Sequence, residues 1–368
     1  MAYTTIDDPT AYFQVKTYTG NGSTNAITFD GNTNMQPDFV WIKDRDTSQH
    51  HRLADVVRGV KKNLKSDTAD AENTPDSNNG LQSFDSNGFT LTQDSSDHGY
   101  NASGSSQVSW NWKAGGTASS NTDGSITSSV SASTTAGFSI VSYTGTGSNA
   151  TVGHGLSSAP SMIIFKARGT GNWLVYHQGI GNTHGVFLNT TSAKDDDATY
   201  FQDTDPTSSV FSIGTSTLVN DTNPYIAYCF AEKKGYSKFG SYTGNGNADG
   251  TFVYTGFKPA FVITKKTSGT SPWGIHDNKR DPFNEVDELL EADTSAALSD
   301  STYGRDYLSN GFKIRTSSSG VNGSGDTFIY MAFAESPFVT STGIPTVGRW
   351  YEIFIDPIYV QHEHKSMH

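Results

Sequence analysis

The stretch Phe13-Gln14-Val15-Lys16-Thr17-Tyr18-Thr19-Gly20-Asn21-Gly22, with Pro37-Asp38-Phe39-Val40-Trp41-Ile42-Lys43 after it, decides the fold because it returns twice. The second copy carries Tyr143-Thr144-Gly145-Thr146-Gly147 and Pro160-Ser161-Met162-Ile163-Ile164-Phe165-Lys166. The third carries Tyr242-Thr243-Gly244-Asn245-Gly246 and Pro259-Ala260-Phe261-Val262-Ile263-Thr264-Lys265. The spacing from Pro to Lys is identical in all three. Phe13, Val15 and Thr17 alternate with Gln14 and Lys16, the period of a half-buried strand, and Asn21-Gly22 is a turn that takes positive φ at low cost. Ile27 and Phe29 read as the returning strand. Phe39 to Ile42 is continuously apolar, as in a strand covered on both faces.

Further landmarks follow in the same order. Leu64, Leu188 and Leu290 each open a polar stretch; Ser86-Asn87-Gly88-Phe89 recurs as Ser309-Asn310-Gly311-Phe312, with Phe211 between them. Each copy closes on an aromatic strand, Val108-Ser109-Trp110-Asn111-Trp112, Tyr225-Ile226-Ala227-Tyr228-Cys229-Phe230 or Phe328-Ile329-Tyr330-Met331-Ala332-Phe333. A repeat of roughly one hundred residues is longer than any solenoid unit and large enough to bury its own core. The expected organisation is an N-terminal tail (1–10), repeats at 11–116, 137–235 and 236–337, a Ser/Thr-rich linker at 117–136 and a C-terminal extension at 338–368. The linker is flexible unless Ile126 and Val130 add a strand to a neighbouring sheet. The fold class is all-β: three tandem homologous β-sandwich domains, jelly-roll or concanavalin-like, with short helical or loop insertions and a C-terminal strand. Leu53, Val56, Val57, Val60 and Leu64 stand at helical spacing, as do Val286, Leu289 and Leu290, so an amphipathic helix or helical loop is expected at both places.

Composition narrows the function. Aromatics reach 12% and charged residues only 17% of 368 residues, a balance for short strands with buried rings rather than for disorder. A formal charge of −12 excludes a surface built for phosphate backbones, and Lys61-Lys62 with Lys65 reads as a solvated face. The single cysteine, Cys229, excludes disulfides within the chain and reads as a buried thiol. No apolar run is long enough to span a membrane, and residues 1–10 lack the features of a signal peptide, so synthesis in a cytoplasm is expected, with release by lysis if the protein works outside a cell.

The order Tyr-Thr-Gly-Asn-Gly, Pro-Asp-Phe-Val-Trp-Ile-Lys, Ser-Asn-Gly-Phe and Trp110-Asn111-Trp112-Lys113-Ala114-Gly115-Gly116 resembles a repeat domain of marine bacteriophage structural proteins. That domain is similar in plan to concanavalin-like sandwich lectins. The resemblance covers about 11–337; Asp44-Arg45-Asp46 and Val57-Arg58-Gly59 fit it in the first copy only. It implies a non-enzymatic virion surface protein, a tail-fibre or adhesin component, with capsid decoration or tail scaffold as the alternative class and a glycan depolymerase behind both. The partners it implies are other virion proteins, further copies of the chain (a trimer, for a fibre) and a host surface glycan. It carries over no catalytic residues and no cofactor.

Candidate site residues come from local chemistry. Trp173 with His177 and Trp273 with His276 pair an aromatic with a polar neighbour, as sugar-binding loops do, and equally fit core or lid packing. His51 falls in the matching loop of the first copy. Glu285-Val286-Asp287-Glu288 is near the paired-carboxylate pattern of glycan hydrolysis, but Glu291 falls too late and a helix face is the better reading. Asp195-Asp196-Asp197 with Asp203 and Asp205 offers oxygens to calcium or forms an ordinary acidic turn. At the C-terminus His362 and His364, two apart, would point to one side of an extended chain and are metal candidates. Trp350, Tyr351, Ile353, Phe354, Ile355 and Tyr359 form a strand apolar on both faces, expected to dock in assembly.

Overall fold

The alternating stretch at the head of each copy becomes the strand that opens it: Phe13–Thr19, Phe138–Thr144 and Ser237–Thr243, with the motif tyrosine second from the end each time. The structure, a computed structural model, describes residues 2–74, 80–92 and 99–346. It is all-β, with 44% of residues in strands against 3% in helices. The opening strand pairs antiparallel with the aromatic closing strand (Ser106–Trp112, Pro224–Phe230, Thr327–Pro337). The closing strand pairs in turn with the apolar central strand (Phe39–Asp44, Met162–Ala167, Phe257–Lys266). A fourth strand follows (Arg52–Asp55, Leu174–His177, Gly274–Asp277). The order opening–closing–central–fourth thus recurs in all three repeats.

A further antiparallel pair of short strands accompanies each of these, in a separate sheet in the first two repeats. Asn25–Thr28 pairs with Gly88–Leu91, Ala150–Gly153 with Val210–Ile213, and Phe252–Tyr254 with Gly311–Ile314. In the third repeat Val286–Glu291 and Ser299–Leu308 bridge the four strands and the short pair, so eight strands run in one curling order close to a barrel.

Each repeat buries an inner cluster of its own, around Phe89, Phe211 and Phe312 respectively. The largest cluster belongs to none of them alone. It takes residues from all three repeats, and at its middle Trp112, Phe230 and Phe333, which hold equivalent places on the closing strands, form a triangle of ring centroids 6.3, 6.1 and 5.7 Å apart. Phe39 stacks on Tyr228 at 4.3 Å and Phe13 on Phe333 at 4.9 Å across the same joints. Burial of this many rings, worth roughly 1.5–3 kcal/mol for each large side chain, ties the repeats into one body.

The motif itself turns out to be a corner. The hydroxyls of Tyr18, Tyr143 and Tyr242 donate to the carbonyls of Tyr100, Val219 and Val321 at 2.7, 2.7 and 2.8 Å. The next residue is a buried asparagine in every case, Asn101, Asn220 or Asn322. Its side-chain oxygen accepts from the backbone of the glycine turn (Asn21, Thr146, Asn245) and its amide donates to carbonyls on either side. A Cβ on Gly145 would sit 1.9 Å from the Asp221 carbonyl oxygen, which is why the turn needs glycine there.

Two local expectations are corrected. The helical spacing after His51 belongs to a strand and turns: Arg52–Asp55 pairs with the central strand, and the Asp55 carboxylate accepts from the backbone N–H groups of Val57 and Arg58, an arrangement that competes with helix. Positive φ at Gly59 and Lys61 breaks the run. Val286, Leu289 and Leu290 likewise sit on a strand, whose register shift between Val286 and Glu288 mimics helical spacing. The 117–136 stretch takes the second course open to it: Ser128–Ser133 pairs with Phe138–Thr144, Ser119–Asn121 pairs outside it, and Ile126 and Val130 are buried. Residues from both ends of the chain meet on the third repeat, where Tyr3 donates to the Gly256 carbonyl and Ser341 N–H to Asp7.

Candidate functional site

The aromatic and histidine candidates converge on the joints between repeats. Trp173, Trp273 and His51 occupy one equivalent place, just before the fourth strand, and each has its backbone N–H bound by the side chain of Asn189, Asp293 or Asp67. Trp173 Nε1 donates to the Lys65 carbonyl at 2.8 Å, from second repeat to first. Trp273 Nε1 donates to the Phe187 carbonyl at 2.8 Å, from third to second. His51 Nε2 meets the Glu291 carbonyl at 2.9 Å, from first to third. Three equivalent bonds therefore close a ring around the body. Because His51 Nδ1 accepts from Trp41 Nε1, the proton lies on Nε2 and the bond to Glu291 is a donation.

The end of the fourth strand repeats the pattern. Met162 pairs with His177, Phe261 with Asp277 and Phe39 with Asp55, so these three are equivalent and His276 is not one of them. Trp110 Nε1 donates to Asp277 at 3.0 Å and the Tyr228 hydroxyl to Asp55 at 2.8 Å. His177, accepting at Nδ1 from Gly179 N–H, donates from Nε2 to the Tyr330 carbonyl at 3.1 Å. Asp55 and Asp277 are further locked by Arg58 and Arg280, pairs with no side-chain exposure at all. Trp173, His177, Trp273 and His276 are all buried, so none offers a ring face to a ligand at the surface. Burial lowers His51 to about 3 and His177 to about 4, keeping both rings neutral near pH 7.

The lysine that ends each Pro-to-Lys motif is buried as well. Lys43, Lys166 and Lys265 bind loop carbonyls, among them Asp44 at 2.6 Å, Ala167 and Gly169 at 2.7 Å, and Thr191, across a joint, at 2.8 Å. Desolvation pushes each ammonium down to about 8.

Surface chemistry is polar. A cleft of about 460 Å³ opens between the first and third repeats, with Phe13, Val15 and Ala260 in its floor and Asp30, Lys279 and Glu335 at its rim. Asp30 bridges Lys16 and Lys279, both at 3.2 Å, and Glu335 accepts from Asn278 at 2.8 Å. Among the described residues Phe283, Tyr254 and Phe252 are the aromatics left most open, and Tyr254 meets Tyr3 beside the Gly256 contact. On the acidic strand, burial and then the charges of Asp281 and Asp300 raise Asp287; burial also raises Glu288, against its 3.1 Å ion pair with Arg45. Asp195 accepts from Tyr200, Asp197 caps the short helix Ala198–Phe201 and Asp205 accepts from Tyr176, so these carboxylates serve local structure. Among the described residues no group of three or more acidic, His or Cys side chains is placed to hold a metal ion. His362, His364 and the assembly residues Trp350, Tyr351, Ile353, Phe354, Ile355 and Tyr359 lie outside the described residues.

Sequence reasoning singled out the tryptophans but missed the three buried asparagines and the Asp55–Arg58 and Asp277–Arg280 pairs. The asparagines carry a readable signal, since each lies at a similar distance, 80, 74 or 77 residues, beyond the turn it clamps. Residues 8–337 match a family model described as a domain of unknown function (DUF7483). No curated protein and no solved structure matches the chain.

Proposed function

The chain belongs to the DUF7483 family, and from that premise we propose that it is a non-enzymatic virion surface protein, three tandem copies of one concanavalin-like β-sandwich acting as a tail-fibre or adhesin component. The observation that carries this reading is how the chemically capable side chains are used. Asp55, Asp277, His51 and His177 are the kinds of group that could move protons, yet all are buried in the bonds that join one repeat to the next. The protein is a rigid block whose polar surface is free for binding. The cleft between the first and third repeats, polar at the rim and apolar at the floor, suits a hydroxyl-rich ligand such as a host surface glycan. Its partners in this reading are other virion proteins and further copies of itself, a trimer where it forms a fibre; the net charge of −12 leaves nucleic acid aside.

Purified protein added before infection is expected to compete with particles for host cells, and Lys279→Glu with Glu335→Lys at the cleft rim is expected to abolish the competition. Competition that survives this double change overturns the cleft assignment, and absence of the chain from purified particles overturns the virion reading. The scaffold alternative rests on exposed Phe252 and Tyr254, close to where residues from both ends of the chain pack. Burial of that face against capsid or tail protein in a particle map would favour it. Release of reducing ends from host glycans, lost in Glu285→Gln or Glu288→Gln, would favour the depolymerase.

A further inference from the structure

The inner core of the third repeat holds a charge that nothing in the described chain neutralises. Arg305 lies on Ser299–Leu308, facing Val286 on one side and Ile314 on the other, both members of the apolar cluster. Its side chain is fully buried, its guanidinium carbon is 5.9 Å from the centroid of the Phe312 ring, and Nε, Nη1 and Nη2 all lack hydrogen-bond partners. His276, opposite Val262 in the same interior, is also fully buried with both ring nitrogens unpartnered. Burial and then the charges of Arg305 and Arg280 hold His276 neutral, so it keeps one N–H to give. Arg280 binds Asp277 through Nε but leaves Nη1 buried and unpartnered. The hydroxyl protons of Tyr242 and Tyr307 are committed to the carbonyls of Val321 and His276.

The other repeats show what this interior holds where no ligand is needed. Phe89 and Phe312 are equivalent, so Leu81, which faces Leu91, stands in the first repeat where Arg305 stands in the third. Ala54 stands where His276 does, and in the second repeat Tyr176 takes that place with its hydroxyl bound to Asp205. At these two places the third repeat has a cation and a hydrogen-bond donor where the first has an apolar pair; the first repeat's own buried arginine, Arg52, lies elsewhere, opposite Ile42 and 5.6 Å from the centroid of the Tyr100 ring. An unpaired buried guanidinium costs several kcal/mol, a penalty that buried charges escape by pairing. An anion accepting from these donors removes it.

We propose that the interior of the third repeat binds a small monovalent anion of the chloride class between Arg305 and His276. One net positive charge faces the site, which matches a single negative charge, and the aromatic surround favours an ion that sheds its water easily. A cavity of about 350 Å³ opens beside Phe283 and is lined by Val286 and Tyr307, the first paired with Arg305 and the second two residues along its strand.

The test compares thermal unfolding of the full chain in sodium chloride, sodium bromide and sodium gluconate at equal ionic strength. Chloride and bromide are expected to raise Tm by about 2–4 °C with saturation, the shift for an ion at roughly ten times its Kd, and gluconate is expected not to. The Arg305→Leu/His276→Ala variant copies the first repeat, should fold, and is expected to lose the halide dependence. A bromide soak of crystals should place an anomalous peak within hydrogen-bond reach of the Arg305 guanidinium. Equal Tm values in chloride and gluconate, a halide effect unchanged in the double variant, or bromide peaks elsewhere only, would each overturn the proposal.

Discussion

Trp173→Phe tests whether the repeats fold as one body. The change keeps most of the buried ring but removes the indole N–H that reaches the Lys65 carbonyl at 2.8 Å across a joint. Leaving that carbonyl unpaired costs about 1–3 kcal/mol, before any cavity is counted. If the whole matched region of about 330 residues unfolds together, its entropy of unfolding at roughly 2.1 cal/mol/K per residue is about 0.7 kcal/mol/K, and Tm falls by about 1–4 °C. If instead each repeat of about 100 residues unfolded alone, the same loss would move one transition by about 5–14 °C and leave the others in place. Differential scanning calorimetry separates the two outcomes. The shared aromatic centre predicts a single endotherm, displaced by a similar small amount in Trp173→Phe and Trp273→Phe. Separate endotherms, with only one displaced, would refute the reasoning from the triangle of rings.

The histidine contribution to stability is expected to be fully present above pH 6.5 and to be lost as the pH drops toward 4, because His51 and His177 stay neutral when folded while the unfolded chain takes up protons. The slope is at most about 1.4 kcal/mol per pH unit for each histidine, and urea midpoints at pH 7.0, 6.0 and 5.5 measure it. A flat profile there refutes the assignment. The three buried lysines act at the other end: folded near 8 and ordinarily 10.5, they bind fewer protons folded than unfolded in that window, so stability is expected to rise with pH from 8 to 10. Arg58→Met strands the Asp55 carboxylate in the core and is expected to cost about 3–5 kcal/mol in equilibrium unfolding, much less when combined with Asp55→Leu. Asn220→Ala unclamps a corner and should cost about 1–3 kcal/mol for each buried group left unpaired, with Gly145→Ala at least as damaging because of its clash with the Asp221 carbonyl.

Much of the strand framework was legible because it rests on local signals. Alternation found the opening strands, continuous apolar runs found the central ones, and the recurrence of tyrosine before a glycine turn aligned them. The spacing of Leu53, Val56 and Val57 misled because three neighbours on a strand and its following turn can face one core as well as a helix does, and Asp55 decided between the two through a side-chain bond that no periodicity encodes. The candidate site was half legible. Trp173 and Trp273 stood out as recurring aromatics, but whether a tryptophan faces a ligand or another repeat depends on partners such as Lys65 and Phe187, which lie 108 and 86 residues away. Arg305 gave no sign at all, since an arginine in an alternating strand reads as solvent-facing.

A ring closed by three joints has a further meaning for inheritance. Three separate identical chains around an axis must carry the same side chain at each equivalent place, so a change that suits one joint is imposed on all. Written into one polypeptide, the places are free to part company. His51 stands where its counterparts are Trp173 and Trp273, His177 where they are Asp55 and Asp277, and Arg305 where the first repeat keeps Leu81. Fusion thus lets a symmetric body acquire one face unlike the other two, and specialise there without disturbing the frame that holds it.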